Sequence, residues 1–430
     1  MVSGPRQLLL ALSTVAVFTV SVKARAQDTP DPQTIAPINR AMRSGWMFMQ
    51  DGIVFVNFNQ QGGPRGGDDF IAPNWWMGMA SRETSKGRLT VNAMLSLDPA
   101  IVGQDGYLEL FQTGEALNGQ PIINRQHPHN LFMQLAAVWR MPVTAATGFT
   151  VAGGPVGEAA LGPVAYMHRA SAADNPTAPL SHHTFDSTHV SFGVVTVGVD
   201  HGPWVVEGSV FNGREPDQNR WDFDFGRLDS FSGRVWYRPN DEWEFQASSG
   251  RLVSPEELEP GVNVVRSTVT GSWTQKNGAS IASVTAGFGV NSTNNQGTRS
   301  AFFIEGARHT DLNTLYSRFE AVQVETVLLE TGEIVEGPLA NVKNTVLALT
   351  VGGVHDLWAW HGFEGGFGAD VTFYGVPDVL QPMYANFPVS FHVFFRLRPP
   401  VGSMGRMWNM RMSQPMAGHP MDMPMNHQMP

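Results

Sequence analysis

Residues 87–98 read GRLTVNAMLSLD, and they alternate with a period of two. In an extended chain, Leu89, Val91, Ala93, Leu95 and Leu97 fall on one side, and Arg88, Thr90, Asn92, Met94 and Ser96 on the other. The same signature recurs along the chain. In SIASVTAGFGVN (280–291), Ala282, Val284, Ala286, Phe288 and Val290 oppose Ser283, Thr285, Gly287 and Gly289. In VRSTVTGSWTQ (265–275), Val265, Val269 and Trp273 oppose Arg266, Thr268, Thr270 and Ser272. In FHVFFRLR (391–398), Phe391, Val393, Phe395 and Leu397 oppose His392, Arg396 and Arg398. Strands of a soluble sandwich alternate too, but these segments are long, and their polar face carries Arg, Asn and Thr beside many glycines. That combination suits strands with one face toward lipid and the other toward a polar lumen.

The connections give an independent test. Strands are expected near 45–59, 70–81, 88–97, 131–141, 148–161, 188–200, 203–213, 227–238, 242–252, 263–275, 279–291, 299–308, 314–329, 343–355, 360–375 and 388–398. SRETSKGR, PVTAATG, DHG, RPND and KNG make short turns, and the long connections lie around 98–130, 162–187, 214–226, 253–262 and 330–342. Short turns alternating with long loops define an antiparallel transmembrane β-barrel of about sixteen strands, with fourteen to eighteen as the range. Trp139, Trp204, Trp236, Trp243, Trp273, Trp358 and Trp360 fall toward strand ends, where an aromatic girdle belongs.

Composition narrows the setting. Only 15% of the 430 residues are charged, and the one long apolar run is at the start. There, Arg6 precedes the stretch Leu8–Val22, and Ala24-Arg25-Ala26 offers an A-x-A cleavage site, so 1–26 read as a secretory signal peptide. Its removal takes three basic residues and no acid, which moves the formal charge from −10 to −13. An acidic balance excludes nucleic acid as a partner. The absence of cysteine excludes disulfides, thiolate metal sites, cysteine nucleophiles and a lipidated N-terminal cysteine. The expected organisation is the signal peptide, a mobile lead at 27–44, a barrel at 45–398 in outer-membrane lipid, and a tail at 399–430. With an even strand number both ends face the periplasm.

Three groups of residues carry candidate chemistry. The tail holds nine of the twenty methionines, Met404, Met407, Met410, Met412, Met416, Met421, Met423, Met425 and Met429, together with His419 and His427. Thioethers favour Cu(I), and imidazole also binds Cu(II), so the tail is a candidate copper ligand that needs no preformed fold. The alternative is a low-complexity extension with no role. The second group is RQHPHN, with His127 and His129; the third is LSHHTFDSTH, with His182, His183, Asp186 and His189. Topology puts both on the outer side, where together they would make a His/Asp site for a divalent metal; well-packed, hydrogen-bonded loop histidines are the competing reading. Met47 and Met49, and Met77 and Met79, are pairs on one strand face, and plain lipid-facing hydrophobes are the expected reading. No H-E-x-x-H, G-x-S-x-G or P-loop occurs, and Asp186, Ser187 and His189 are too close in sequence to suggest a triad, so no enzyme is expected.

The segment LFQTGEALNGQPIINRQHPHNLFMQLAAVW, with WWMGMASRETSKGRLTVNAMLSLDPAIVG before it, resembles an uncharacterised family of bacterial secreted or outer-membrane proteins that carry R-Q-H-P-H before a strand. That resemblance covers roughly 45–140 and implies no catalytic residues. More loosely, a Met/His-rich extension on a barrel is similar to the copper-resistance outer-membrane proteins, which usually carry it before the barrel. This implies copper binding, resistance or transport. The alternative function is a general porin or small-solute channel, with lumenal Arg140, Glu207, Glu244, Arg396 and Arg398 setting selectivity.

Overall fold

A computed structural model describes residues 45–399 apart from 279, 295, 296, 336 and 361. The signal-peptide, lead and tail expectations lie outside the described residues. So do the tail ligands Met404, Met407, Met410, Met412, Met416, His419, Met421, Met423, Met425, His427 and Met429.

The chain opens with β1 (Trp46–Gln61), β2 (Gly67–Ile71), β3 (Asn74–Thr84) and β4 (Gly87–Leu95). An inserted hairpin follows, β5 (Tyr107–Leu117) and β6 (Gln120–Gln126). The wall resumes with β7 (Phe132–Pro142), β8 (Thr147–Gly157), β9 (Ser191–His201), β10 (Trp204–Phe211), β11 (Ser230–Tyr237) and β12 (Trp243–Leu252). It is completed by β13 (Val264–Asn277), β14 (Ser280–Thr293), β15 (Gly297–Thr310), β16 (Asn313–Glu325), β17 (Lys343–Trp360), β18 (Phe363–Gly375) and β19 (Val389–Arg398). Each wall strand pairs antiparallel with the next, and β1 pairs with β19 over Val54–Gln60, which closes a sixteen-stranded barrel. β2 and β3 together form one edge against β1, interrupted at Ala72-Pro73, because proline has no N–H to give a ladder. The expected strand at 314–329 stops at Glu325; Thr326–Thr331 turns into a short helix closed by Gly332 at φ 78°.

The two faces follow the alternation. On β9, Val195, Val197 and Val199 are exposed on the outside, while Val194 and Thr196 are at most 2% exposed. The same parity puts Val265 and Val269 out and Arg266, Thr268 and Thr270 in. Trp204, against its partner Tyr237, and Trp243, paired with Trp273, gather near the short-turn end of the wall. Trp236 is not part of that girdle. It points inward at 2% exposure and its indole N–H donates to Glu207 at 2.7 Å. Met77 and Met79 also point inward, at 0% and 5%, rather than toward lipid. Met77 packs with Met94, Met133 and Met167 in an apolar cluster.

Two long connections fold into the lumen instead of standing outside it. The first carries the β5–β6 hairpin, turned at Asn118-Gly119 with both residues at positive φ, as a two-residue type I′ turn demands. Asn59 on the wall donates to Leu108 O at 2.7 Å, and Leu110 is 1% exposed. The second connection, 158–190, crosses the lumen. Ala160 N donates to Ser209 Oγ on β10 at 2.7 Å, and Ser181 N donates to Glu320 on β16 at 2.9 Å. Arg169 reaches Glu305 on β15 at 2.6 Å, and Asp174 receives Arg396 of β19 at 2.5 Å. Wall glycines make room for it: a Cβ on Gly289 would lie 2.9 Å from Thr184 Cγ2 and 3.1 Å from Phe185 Cε1. The reason for the inward course is compositional. Residues 158–180 hold seven alanines, three prolines and only three charged residues, so they gain by burial.

Candidate metal centre

The inward course of both connections brings His127, His129, His182, His183 and His189 together in one group, at the end of the wall that carries the long connections. Helix α1 (Asp98–Ile101) and the end of β6 set the first two histidines. A one-turn helix α2 (His182–Phe185), followed by the 3₁₀ turn Ser187–His189, sets the other three. Ring centroids lie 6.0 Å apart for His127–His182, 5.4 Å for His127–His183 and 5.6 Å for His129–His189. His182 is 5.3 Å from both His183 and His189.

Each Nδ1 has an oxygen facing it. His129 Nδ1 meets Asp98 Oδ2 at 2.9 Å, and His182 Nδ1 meets Asp186 Oδ1 at 2.7 Å. His189 Nδ1 donates to the Asp186 carbonyl at 2.7 Å. His127 Nδ1 faces the Pro128 carbonyl at 3.4 Å and lies 3.0 Å from Glu115 Oε1, while His183 Nδ1 lies 3.3 Å from Glu215 Oε1 without hydrogen-bond alignment. A neutral ring that donates from Nδ1 keeps its lone pair on Nε2. The Nε2 atoms of His127, His129 and His189 are buried and have no hydrogen-bond partner in the protein. Burial holds His127 below the ordinary histidine range, brings His182 down to about 4, and with the neighbouring His182 and His129 pushes His189 well down. These three rings are therefore neutral at neutral pH, the state in which imidazole binds a metal.

The supporting groups are themselves fixed. Asp98 Oδ1 accepts from Asn74 N and Nδ2, both at 3.1 Å. Asp186 Oδ2 accepts from Arg169 Nη1 at 2.8 Å and Tyr166 N at 2.9 Å. Burial works to raise the Asp186 carboxyl, but Arg169 and His182 outweigh it and keep it ionised. Glu115 pairs with Arg220, which also donates to Asn130 Oδ1 at 3.2 Å. A small cavity of about 20 Å³, room for a single ion or water, opens among Glu115, His127, His129, Ser187, His189 and Glu215. Ser187 Oγ accepts from Arg266 at 2.8 Å while His189 Nδ1 serves a backbone carbonyl, so these residues are not set up as a nucleophile and base.

The sequence singled out all five histidines and Asp186. It did not single out Asp98, Glu115, Glu215 or Arg220, which come from other parts of the chain at no fixed spacing. Of the proposed selectivity residues, Arg140 pairs with Asp200 at 2.6 Å, and Glu207 with Arg234 at 2.5 Å. Glu244 faces Arg238 at 3.4 Å, Arg396 bridges Asp174 and Asp356, and Arg398 lies beside them.

No protein-family model matches the chain, and no curated protein matches it in sequence. In fold it is similar to Pseudomonas putida OprB at high pH, with 9% identity over 84% of this chain and 95% of that one, and a TM-score of 0.51. It is also similar to Salmonella typhi OmpF in a complex with daunomycin, with 7% identity over 83% and 99% and a TM-score of 0.50. An anion-selective porin from Comamonas acidovorans matches at 10% identity over 82% and 99%, with a TM-score of 0.46. These likenesses are to the porin-type barrel fold.

Proposed function

We propose that this protein is a bacterial outer-membrane barrel that binds a transition-metal ion of the copper class within a filled lumen. The observation that supports this is the set of buried, unpartnered Nε2 atoms on His127, His129 and His189, each ring held from its Nδ1 side. A carboxylate or carbonyl behind an imidazole orients the ring and raises its basicity, and it is the usual outer shell of a metal-bound histidine. Imidazole donors suit Cu(II), Ni(II), Zn(II) and Fe(II), and copper heads the affinity order of these divalent ions. In this reading the imidazoles bind copper as Cu(II), and the Met/His tail is a separate ligand for Cu(I), with no change of oxidation state between the two.

A solute channel is the second reading, favoured by the likeness to porin-type barrels. The two inward connections argue against a wide passive pore, because they tie the wall strands together across the lumen. The deciding experiment is a chelator-buffered Cu(II) titration of the folded protein, followed by electron paramagnetic resonance for nitrogen coupling. Nitrogen-coupled Cu(II) that is lost in His129→Ala and His189→Ala supports the metal reading. Binding that is equally tight in both variants sinks it, and single-channel conductance of the same samples then tests the second reading.

A further inference from the structure

We propose that His183, Glu215 and Glu256 form a second cation position beside the imidazole cluster, one suited to a harder divalent ion such as Mn²⁺. The inference rests on the reading of the lumen as a metal-binding compartment, but its donor set is different: one imidazole and two carboxylates. Hard and borderline divalent ions favour such oxygen-rich sites, and soft ions do not.

The geometry is that of a gathered ligand set. One potential ligand atom from each of the three residues lies within 4.8 Å of the other two. The Glu215 and Glu256 carboxyls lie within hydrogen-bond reach of each other, and His183 Nδ1 faces Glu215 Oε1 at 3.3 Å without the alignment of a hydrogen bond. Two carboxylates this close repel unless a proton or a cation lies between them. Among the described residues no lysine or arginine forms an ion pair with either one. The neighbouring Arg266 instead donates to Ser187 Oγ at 2.8 Å and to Asn291 Oδ1 at 3.1 Å.

Three separate connections bring the donors together, and each is held. Glu215 N donates to Pro255 O at 3.0 Å, which ties the β10–β11 connection to the β12–β13 connection that carries Glu256. Asn291 Nδ2 donates to the His183 carbonyl at 3.0 Å. The lumenal hairpin closes the fourth side. Gly114 sits at φ +137°, and a Cβ there would lie 2.5 Å from His183 Cε1 and 2.6 Å from Nδ1, so only glycine lets the backbone lie this close to the ring. His183 is 5.4 Å from His127, ring to ring, so the two positions adjoin. A second acidic group, Asp217, Asp222 and Asp224, is also gathered, but it is largely exposed and has no such framework.

The test is an Mn²⁺ titration of the metal-stripped, full-length protein in detergent, with free Mn²⁺ read by electron paramagnetic resonance. The wild type is expected to bind one equivalent that Glu256→Gln weakens by about tenfold or more, while His129→Ala retains it. Gly114→Ala, which changes no charge, is expected to weaken it as well by displacing His183. Heat-modifiable migration checks that each variant is folded, and Glu256→Gln alone decides the matter if Gly114→Ala fails that check. Wild-type protein that binds no Mn²⁺, or Glu256→Gln that binds it as tightly as the wild type, overturns the proposal. Cu(II) titration of His129→Ala and His189→Ala separates the two positions: Cu(II) binding that is unchanged in both variants, with Mn²⁺ still bound, upholds this one and removes the imidazole position.

Discussion

The outside and the inside of the wall obey different rules. On the outer face of β9, Val195, Val197 and Val199 need only be apolar, because lipid accepts any such side chain and asks for no partner. On the inner face of the same strand, Thr196 must find Ser209 Oγ at 2.6 Å. Deeper in the lumen the partners are remote in sequence: Arg169 with Glu305, Arg234 with Glu158 and Glu207, Arg396 with Asp174 and Asp356. The outer face is specified by a pattern and the inner face by pairs.

The largest expected effect comes from breaking a pair. Arg396→Ala removes the shorter ion pairs of buried Asp174 and Asp356 and leaves them only Arg398 at 3.4 and 3.7 Å, so it should cost about 3 kcal/mol or more, read by denaturant unfolding in lipid. Val197→Arg breaks the pattern instead. It should cost about 2–4 kcal/mol if the residue lies near the bilayer midplane, and an insertion-neutral result would show that the outer face of β9 does not meet lipid there. Asp98→Asn keeps the shape behind His129 but weakens the acceptor, so Cu(II) affinity should fall about 10–100-fold with the barrel still folded. Thr196→Val removes one inward hydrogen bond and should cost about 1 kcal/mol, a measure of what a single neutral pair contributes. Deletion of 403–430 should leave heat-modifiable migration unchanged while removing most Cu(I) binding. Loss of the folded barrel in that deletion would show that the tail belongs to the wall.

This difference explains what could be read in the sequence. Alternation such as Val265, Val269 against Arg266, Thr268, Thr270 is a local signal, and it locates the sixteen wall strands and their facing. Pro73 and the short helix at Thr326–Thr331 displace only strand ends. The inward fold of 96–131 and 158–190 does not emerge from alternation, although Asn118-Gly119 marks a hairpin turn and the small, weakly charged run before Ser181 is unlike an exposed loop. The histidines are legible because their side chains have few bland uses in such density. Asp98, Glu115 and Glu215 are not, because a carboxylate behind an imidazole looks in sequence like any other surface acid. Trp236 shows the same limit: a tryptophan near a strand end reads as a girdle residue until Glu207 is seen beneath its N–H.

Arg396 lies on β19, the strand that meets β1 to complete the ring, and its guanidinium is satisfied by Asp174 from the lumenal segment and Asp356 from β17. The two strands at that seam come from opposite ends of the described chain, so their pairing has the highest loop-closure cost in the wall. A barrel that shut before the 158–190 segment had entered would enclose Arg396 without Asp174. The last joint is thus energetically conditional on the filling: the cylinder is sealed most favourably around contents already in place, and an empty one is disfavoured at its own seam.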